Sequence, residues 1–425
     1  MSKATNDAKS SPIADAMTRL GFQLCLNGDP EKNVVLSPLG IIYMLAMLYL
    51  GARGKSRRQL AQVIGGNSDD LLLEHIDTLV REIEARSQLT NYEASVVRRR
   101  QAKREELLAQ GIDPQAVEEE VYARIGSIGM DSPNDLRFLL SVANNIWVQQ
   151  SYRLKQEFLK QTRGIFDVDV GLLDFRGKPD EACRVVNAWI SDNTQGVIDS
   201  MITPDMLSSL TRVVLANAIY FKAFWASNFS PPQPGPFHLI NGKTIEAQMM
   251  HKTGYLGYME SKEFRAVVLP YKQRPVSMCL VLPRMTGMQA LVDLERLLAR
   301  GDRENLLAAA DRRYVHLTMP EYEFGFEADL VPMLSWVGLQ ELFSGGDFSG
   351  ISNEEGFGID CMLHQASIHV DRFGTVAVAG TVTTLIGAAT PKEIMELMVD
   401  RPFLFLILDE PTGAALFVGR VMDPR

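Results

Sequence analysis

The sequence predicts an α+β protein with a large, mainly antiparallel sheet system, and three observations carry that prediction. The first third of the chain has helical periodicity. From Leu136 onward short β-rich apolar runs dominate, with helical stretches set between them. The last run, FLFLILDEPTGAALFVGRV, reads as a hairpin: two apolar strands around Asp409, Glu410, Pro411, Thr412 and Gly413.

The elements follow in order. Ser37 is expected to cap a helix that has Pro38 at its first position, where the missing N–H costs nothing. The apolar run after Gly40 is too short for a membrane span and fits a buried core helix. SRRQLAQVI forms a second helix, closed by Gly65 and Gly66. DDLLLEHIDTLVREIEAR forms a third, with Leu71, Leu72, Ile76, Leu79, Val80 and Ile83 near a 3.6-residue period. The segments FLLSVANNIWV, TRVVLANAIYF, FRAVVLPY, VSMCLVLP, RYVHLTM and QASIHV read as strands. Helical patterns lie between them at PDEACRVVNAWISDNT, MQALVDLERLLARG and EADLVPMLSWVG.

Composition narrows the function classes. Of 425 residues, 46% are hydrophobic and 22% charged, so most of the chain can bury a core. A net charge of −9 argues against a surface built for nucleic acid or acidic membranes. Cys25, Cys183, Cys279 and Cys361 are widely spaced, which suits free thiols in a reducing compartment. The start, MSKATNDAKSSPIADA, lacks the apolar core of a signal peptide. A cytoplasmic protein is expected, with secretion by an unconventional route as the alternative.

Catalytic motifs do not emerge. The sequence has neither G-x-S-x-G nor H-E-x-x-H. GARGKS at 51–56 has Tyr49 where a phosphate loop needs its first Gly, and it follows a helix, so it reads as a helix end and a basic turn. His75, His238, His251, His316, His364 and His369 show no metal-ligand spacing, and no metal or cofactor is expected. No nucleophile, base and oxyanion site assemble, so the protein is not expected to be an enzyme. The feature that asks for an explanation is GTVAVAGTVTTLIGAATP, residues 374–391, uncharged, β-prone and exposed to aggregation if left free.

Several ordered motifs together resemble the serpin family across nearly the whole chain. NVVLSPLGIIYMLAMLYLGA is similar to its early N-x-x-x-S-P segment. Asn187, Trp189 and Thr194 match its N-x-W helix. Asn217, Ala218, Tyr220, Phe221, Lys222 and Trp225 match N-A-x-Y-F-K-x-x-W. Pro270-Tyr271, Ser277-Met278, Asp347-Phe348-Ser349-Gly350, Pro402-Phe403 and Phe417-Val418-Gly419-Arg420 match in turn. The resemblance implies one metastable α+β domain over 1–425, with three β-sheets, about nine helices and an exposed reactive loop at 374–391.

That loop explains the odd composition. By resemblance, a protease cuts it and its amino-terminal arm then enters the main sheet as a central strand, where charge or Pro would be costly. The hinge is Gly374, Thr375, Val376, Ala377, Val378, Ala379, Gly380 and Thr381, with Thr375 the first strand residue to enter. Fourteen positions beyond Gly374 the reactive bond falls at Ala388–Ala389, a small residue suited to elastase-like serine proteases. A shifted register to Leu385 or Ile386 would suit chymotrypsin-like or cysteine proteases. The alternative is a non-inhibitory carrier or chaperone. The expected partner is a target protease, and the protein a monomer with a risk of loop–sheet polymerisation.

The resemblance also implies control points. Arg372 and Glu321 replace the family's Glu and Lys, so a charge-reversed pair is expected at the loop base. Ser37, Asn217 and His364 fall on a buried cluster under the sheet opening, with Trp225 at its top. Gly40 stands where Ser is common, which implies a thinner network. Residues 87–134 exceed the family's usual link and are expected to be partly helical or disordered. Their Arg98, Arg99, Arg100, Lys103 and Arg104 are a candidate polyanion site of the heparin type, against a solvated face balanced by Glu118–Glu120.

Overall fold

The computed structural model describes residues 12–66, 71–87, 110, 139–193, 200–208, 210–272, 275–300, 310–354, 356–375 and 393–425. Its helices are α1 (Pro12–Asn27), α2 (Pro38–Gly51), α3 (Gly54–Ile64), α4 (Leu71–Ser87), α5 (Gln156–Phe166), α6 (Pro179–Asn193), α7 (Met288–Ala299), α8 (Leu330–Leu334) and α9 (Gln340–Gly345). The strands are β1 (Val34–Leu36), β2 (Leu139–Gln149), β3 (Gly171–Leu173), β4 (Val213–Phe224), β5 (Gln233–His238), β6 (Thr244–Glu260), β7 (Phe264–Pro270) and β8 (Val276–Pro283). They continue with β9 (Asp311–Pro320), β10 (Tyr322–Asp329), β11 (Cys361–Val370), β12 (Gly374–Thr375), β13 (Met395–Met398), β14 (Phe403–Asp409) and β15 (Ala415–Val421).

Two hydrogen-bonded networks hold these strands. The smaller runs β10-β11-β12-β4-β2-β3. The larger runs β1-β15-β14-β8-β7-β6-β9-β13, with β5 also on β6. The long strand β6 is shared: residues 257–260 pair with β7, residues 249–258 with β9 and residues 244–249 with β5. It thereby joins two of the family's three sheets into one network.

The core sits where α2 meets both networks, against β4 and β15. Ser37 accepts from the Gly40 N–H at 3.3 Å as the helix cap, with Pro38 at the first position, as the sequence predicts. All α2 residues but Tyr43 are buried, which an all-round apolar helix requires. β8, β14 and β15 are likewise buried throughout, so they read as unbroken apolar runs rather than alternating ones. The predicted hairpin is β14–β15, its turn closed by Asp409, which accepts from the Thr412 N–H and hydroxyl. All four cysteines are buried and unpaired.

One segment departs from its pattern. EADLVPMLSWVG is read as a helix, yet Glu327–Asp329 complete β10, and the helical part begins only at Leu330. Asp329 makes the boundary, its carboxylate accepting from the Val331 N–H at 3.1 Å and the Met362 N–H at 3.0 Å. The cap fixes the strand end and the helix start in one residue.

Candidate functional site

β11 and β4 run parallel along a seam of six residue pairs, from Cys361↔Val214 to Ala366↔Ile219. Every other pairing of β11 and β4 is antiparallel. Parallel ladders are slightly weaker per residue, so this seam is the weaker pairing of each strand.

Beneath it lies a buried polar chain. The Ser37 N–H donates to His364 Nε2 at 3.1 Å, so Nε2 carries no proton and Nδ1 does. Nδ1 then donates to Asn217 Oδ1 at 2.8 Å. The Asn217 amide in turn donates to Asn144 Oδ1 at 2.9 Å and the Ala143 carbonyl at 3.3 Å. His364 and Asn217 are register partners across the seam, and Asn144 stands opposite Asn217 on β2. Four segments are thus tied through side chains that are almost wholly buried.

Gly40 adds no side chain to this run of hydrogen bonds. A Cβ at Gly40 would come within 2.6 Å of Asn217 Cγ, so glycine is what admits the amide. The network is continuous because Gly40 has no side chain.

Burial lowers the His364 pKa from 6.5 to about 3. Between those values the unfolded chain binds one more proton than the folded one, so stability rises with pH across that window. The contribution is complete above pH 6.5 and lost as pH falls toward 3, with a slope of up to about 1.4 kcal/mol per pH unit. Urea denaturation of wild type and His364→Gln from pH 4 to 7 checks this; the variant should lose that component of the slope.

Above Ala366 the seam parts and β12 fills it. Thr375 pairs with Val370 on one side and Ala223 on the other, and Gly374 pairs with Phe224. The resemblance has Thr375 entering the sheet on cleavage; here the first two hinge residues are already strand. A Cβ at Gly374 would lie 2.8 Å from Phe224 Cα and closer still to the Ala223 carbonyl oxygen. Thr375 is buried, with its hydroxyl 2.6 Å from Tyr271 Oη. Tyr271 stacks on Trp225 at 4.6 Å between centroids, with planes 7° apart.

The turn before β12 is fully bonded. Asp371 Oδ1 accepts from the Phe373 and Gly374 N–H groups at 2.7 and 3.0 Å. Trp225 Nε1 donates to the Asp371 carbonyl at 2.9 Å, and its backbone N–H to the Phe373 carbonyl. The Phe229 N–H donates to the Arg372 carbonyl at 2.9 Å. Lys252 holds that same stretch, its ammonium donating to the Ser227 carbonyl and lying 4.9 Å from the Phe229 ring centre. Burial brings its pKa down to about 8.

The charge-reversed pair takes a different form. Glu321 Oε1 accepts from the Arg372 backbone N–H at 3.2 Å, while the guanidinium lies 4.3 Å over the Phe373 ring. The main chain reaches Glu321 because the Asp371 turn aims the Arg372 N–H at it, leaving the side chain to its neighbour's ring. Desolvation chiefly, with Asp371 nearby, raises the Glu321 pKa. His369 lies between Asp371 and Glu323, 3.7 and 3.0 Å away, and their hydrogen bonds and charge raise its pKa.

The chain is similar to known proteins over nearly its whole length. The family model Serpin (serine protease inhibitor) covers residues 15–424. The chain belongs to the serpin family. It is similar to an uncharacterized serpin-like protein of Thermococcus kodakarensis, 32% identical over 99% of this chain and 87% of that one. It is 27% identical to the leukocyte elastase inhibitor of Homo sapiens over 97% and 99% of the two chains. Serpin48 of the insect Tenebrio molitor superposes with a TM-score of 0.75 at 25% identity, over the full length of both chains.

Among the described residues of this serpin no helix is long and apolar enough to cross a membrane. The structure brings together Ser37, Asn217, Trp225, Glu321, His364, Arg372, Gly374 and Thr375 around one opening. Hinge residues Val376–Thr381, the bond Ala388–Ala389 and the cluster Arg98, Arg99, Arg100, Lys103 and Arg104 lie outside the described residues. Tyr271, Asp371, Asn144 and Lys252 go unpredicted as site residues. Asp371, three residues before a glycine, carries a turn signal; Tyr271 meets a partner 104 residues away and is marked in the sequence only by the Pro270-Tyr271 resemblance.

Proposed function

We propose that this serpin is a suicide-substrate inhibitor of elastase-like serine proteases. The protease's serine attacks the Ala388 carbonyl, the Ala388–Ala389 bond breaks, and an acyl-enzyme forms with Ala389 as the new amino terminus. The released arm then lengthens β12 between β11 and β4 and carries the protease away before water completes hydrolysis. The observation that carries this reading is the seating of Gly374 and Thr375 in the parted seam. It gives the arm a starting register on both neighbours, and the uncharged residues that follow suit a buried central strand.

Mixing the protein with pancreatic and neutrophil elastase tests it. The expected result is a complex that survives denaturant, a released carboxyl fragment starting at Ala389, and a large rise in thermal stability of the cleaved form. Cleavage without complex or stabilisation would sink the proposal and leave a serpin fold serving as a carrier.

A further inference from the structure

At its lower end the parallel seam between β11 and β4 closes on an ion pair. None of the residues in its six pairs is an acid, lysine or arginine. Just before the first pair, Cys361↔Val214, Asp360 leads into β11 and Arg212 into β4. The Arg212 Nη2 donates to Asp360 Oδ1 at 2.5 Å, and its Nε lies 3.2 Å from both carboxylate oxygens. Asp360 Oδ2 also accepts from the backbone N–H groups of Arg212 and Val213, at 2.7 and 3.3 Å. The Arg212 Nη1 donates to the Gly356 carbonyl, and a Cβ at Gly358 would lie 3.2 Å from the Arg212 Cζ, so the loop leading into β11 rests on the guanidinium. The two side chains are 27% and 21% exposed, which leaves the pair less screened than one at the surface.

β12 shows where an entering strand meets this pair. Thr375 bridges Val370 and Ala223, which stand 147 residues apart in sequence, as do the seam partners His364 and Asn217. β12 therefore lies in the register of the seam itself. Continued in that register, Thr384 reaches the level of Cys361 and Val214, Leu385 that of Asp360 and Val213, and Ile386 that of Arg212. Entry as far as Thr384 parts backbone ladder and neutral side chains. Leu385 is the first residue that cannot enter while Arg212 holds Asp360. At about 3.3 Å per residue, Leu385–Ala388 make up about the last 13 Å of the arm.

We infer that Arg212 and Asp360 form a clasp across the foot of the seam, which the entering arm opens last and which sets the rate of that final step. Charge-assisted, two-pronged pairs of this kind are among the stronger hydrogen-bonded contacts. Leu385 and Ile386 bring no side-chain donor or acceptor to replace it, so opening the clasp leaves both charges to find other partners. In the uncut molecule the same contact pins one end of the weaker parallel ladder. An arm halted there would hold Ala388, and the protease joined to it, about 13 Å short of full depth. The inference rests on the inhibitory function proposed above.

Two synthetic peptides test it, one copying residues 375–384, which stops short of the clasp, and one copying 375–388, which reaches past it. Each is incubated with the uncut protein, and its annealing into the sheet is followed on native gels and by the rise in thermal midpoint. Asp360→Asn and Arg212→Gln each remove one charge of the pair. Both variants are expected to anneal the longer peptide about fivefold faster than wild type or more, and the shorter one within twofold of wild type. The shorter peptide is the control for a general loss of stability, which would speed both. Equal acceleration of the two peptides would make the pair an ordinary stabilising contact and overturn the clasp. No acceleration of the longer peptide in either variant would overturn it too, while a wild-type complex with elastase would leave the inhibitory function intact. Failure of wild type to form any complex with elastase would overturn the inhibitory function and the clasp's part in it.

Discussion

Gly374→Val is expected to convert the protein from inhibitor to substrate. Any side chain at Gly374 runs into the backbone of β4 at Ala223 and Phe224. Strand backbone cannot yield as a flexible side chain can, so β12 is driven out of the seam. The paired start of insertion is then lost, together with the Thr375–Tyr271 hydrogen bond. On the mechanism proposed above, insertion and deacylation compete for the same acyl-enzyme, so slowing the first sends flux through the second. The number of inhibitor molecules consumed per protease inactivated should rise from near one to about ten or more, which puts deacylation ahead of insertion about ninefold, a lead of roughly 1.3 kcal/mol. Gel quantification of complex against cleaved product reads this directly. A variant with unaltered partition would show that β12 seating plays no part.

His364→Ala should have the largest effect on stability among single changes at the site. It orphans the buried Ser37 N–H and Asn217 Oδ1 at once. Each costs about 1–3 kcal/mol when left unpaired, and a cavity adds to both. A fall of about 5–10 °C in the thermal midpoint is expected. Because the lost bonds straddle the seam, conversion to polymer on mild heating should also accelerate. Calorimetry and native gels check the two effects separately. An unchanged polymerisation rate with a lowered midpoint would make His364 a core residue and nothing more.

Local signals carried much of the fold and part of the site. The Ser37–Pro38 cap, the closing Gly65 and the terminal hairpin each depend on residues a few positions apart, and each forms where its signal lies. EADLVPMLSWVG shows the limit: its helical period extends into β10, and Asp329 places the boundary through a bond to Met362, 33 residues on. At the site, His364 stands out by resemblance, while its protonation follows only from contacts with Ser37 and Asn217, 327 and 147 residues away. Gly40 shows the same limit, since only the position of Asn217 shows why no side chain stands there. Glu321 meets the Arg372 main chain and not its guanidinium, because sequence carries charge and not the direction of a main-chain N–H.

The parallel seam has a consequence for how the molecule must fold. β10 to β11, β11 to β12, β12 to β4 and β4 to β2 are all antiparallel, so the one parallel contact among them is that of β11 with β4. A longer β12 would replace that contact and leave this part of the sheet antiparallel throughout. Val370 and Thr375 are five residues apart, whereas His364 and Asn217 are 147 apart. Closing the longer span costs about 3 kcal/mol more in chain entropy, and local hairpins form in microseconds. On the mechanism proposed above, both arrangements must bring β4 to this part of the sheet, and they differ in whether β11 or a longer β12 meets it along the seam. The order in which those strands pair would then separate a loaded molecule from a spent one.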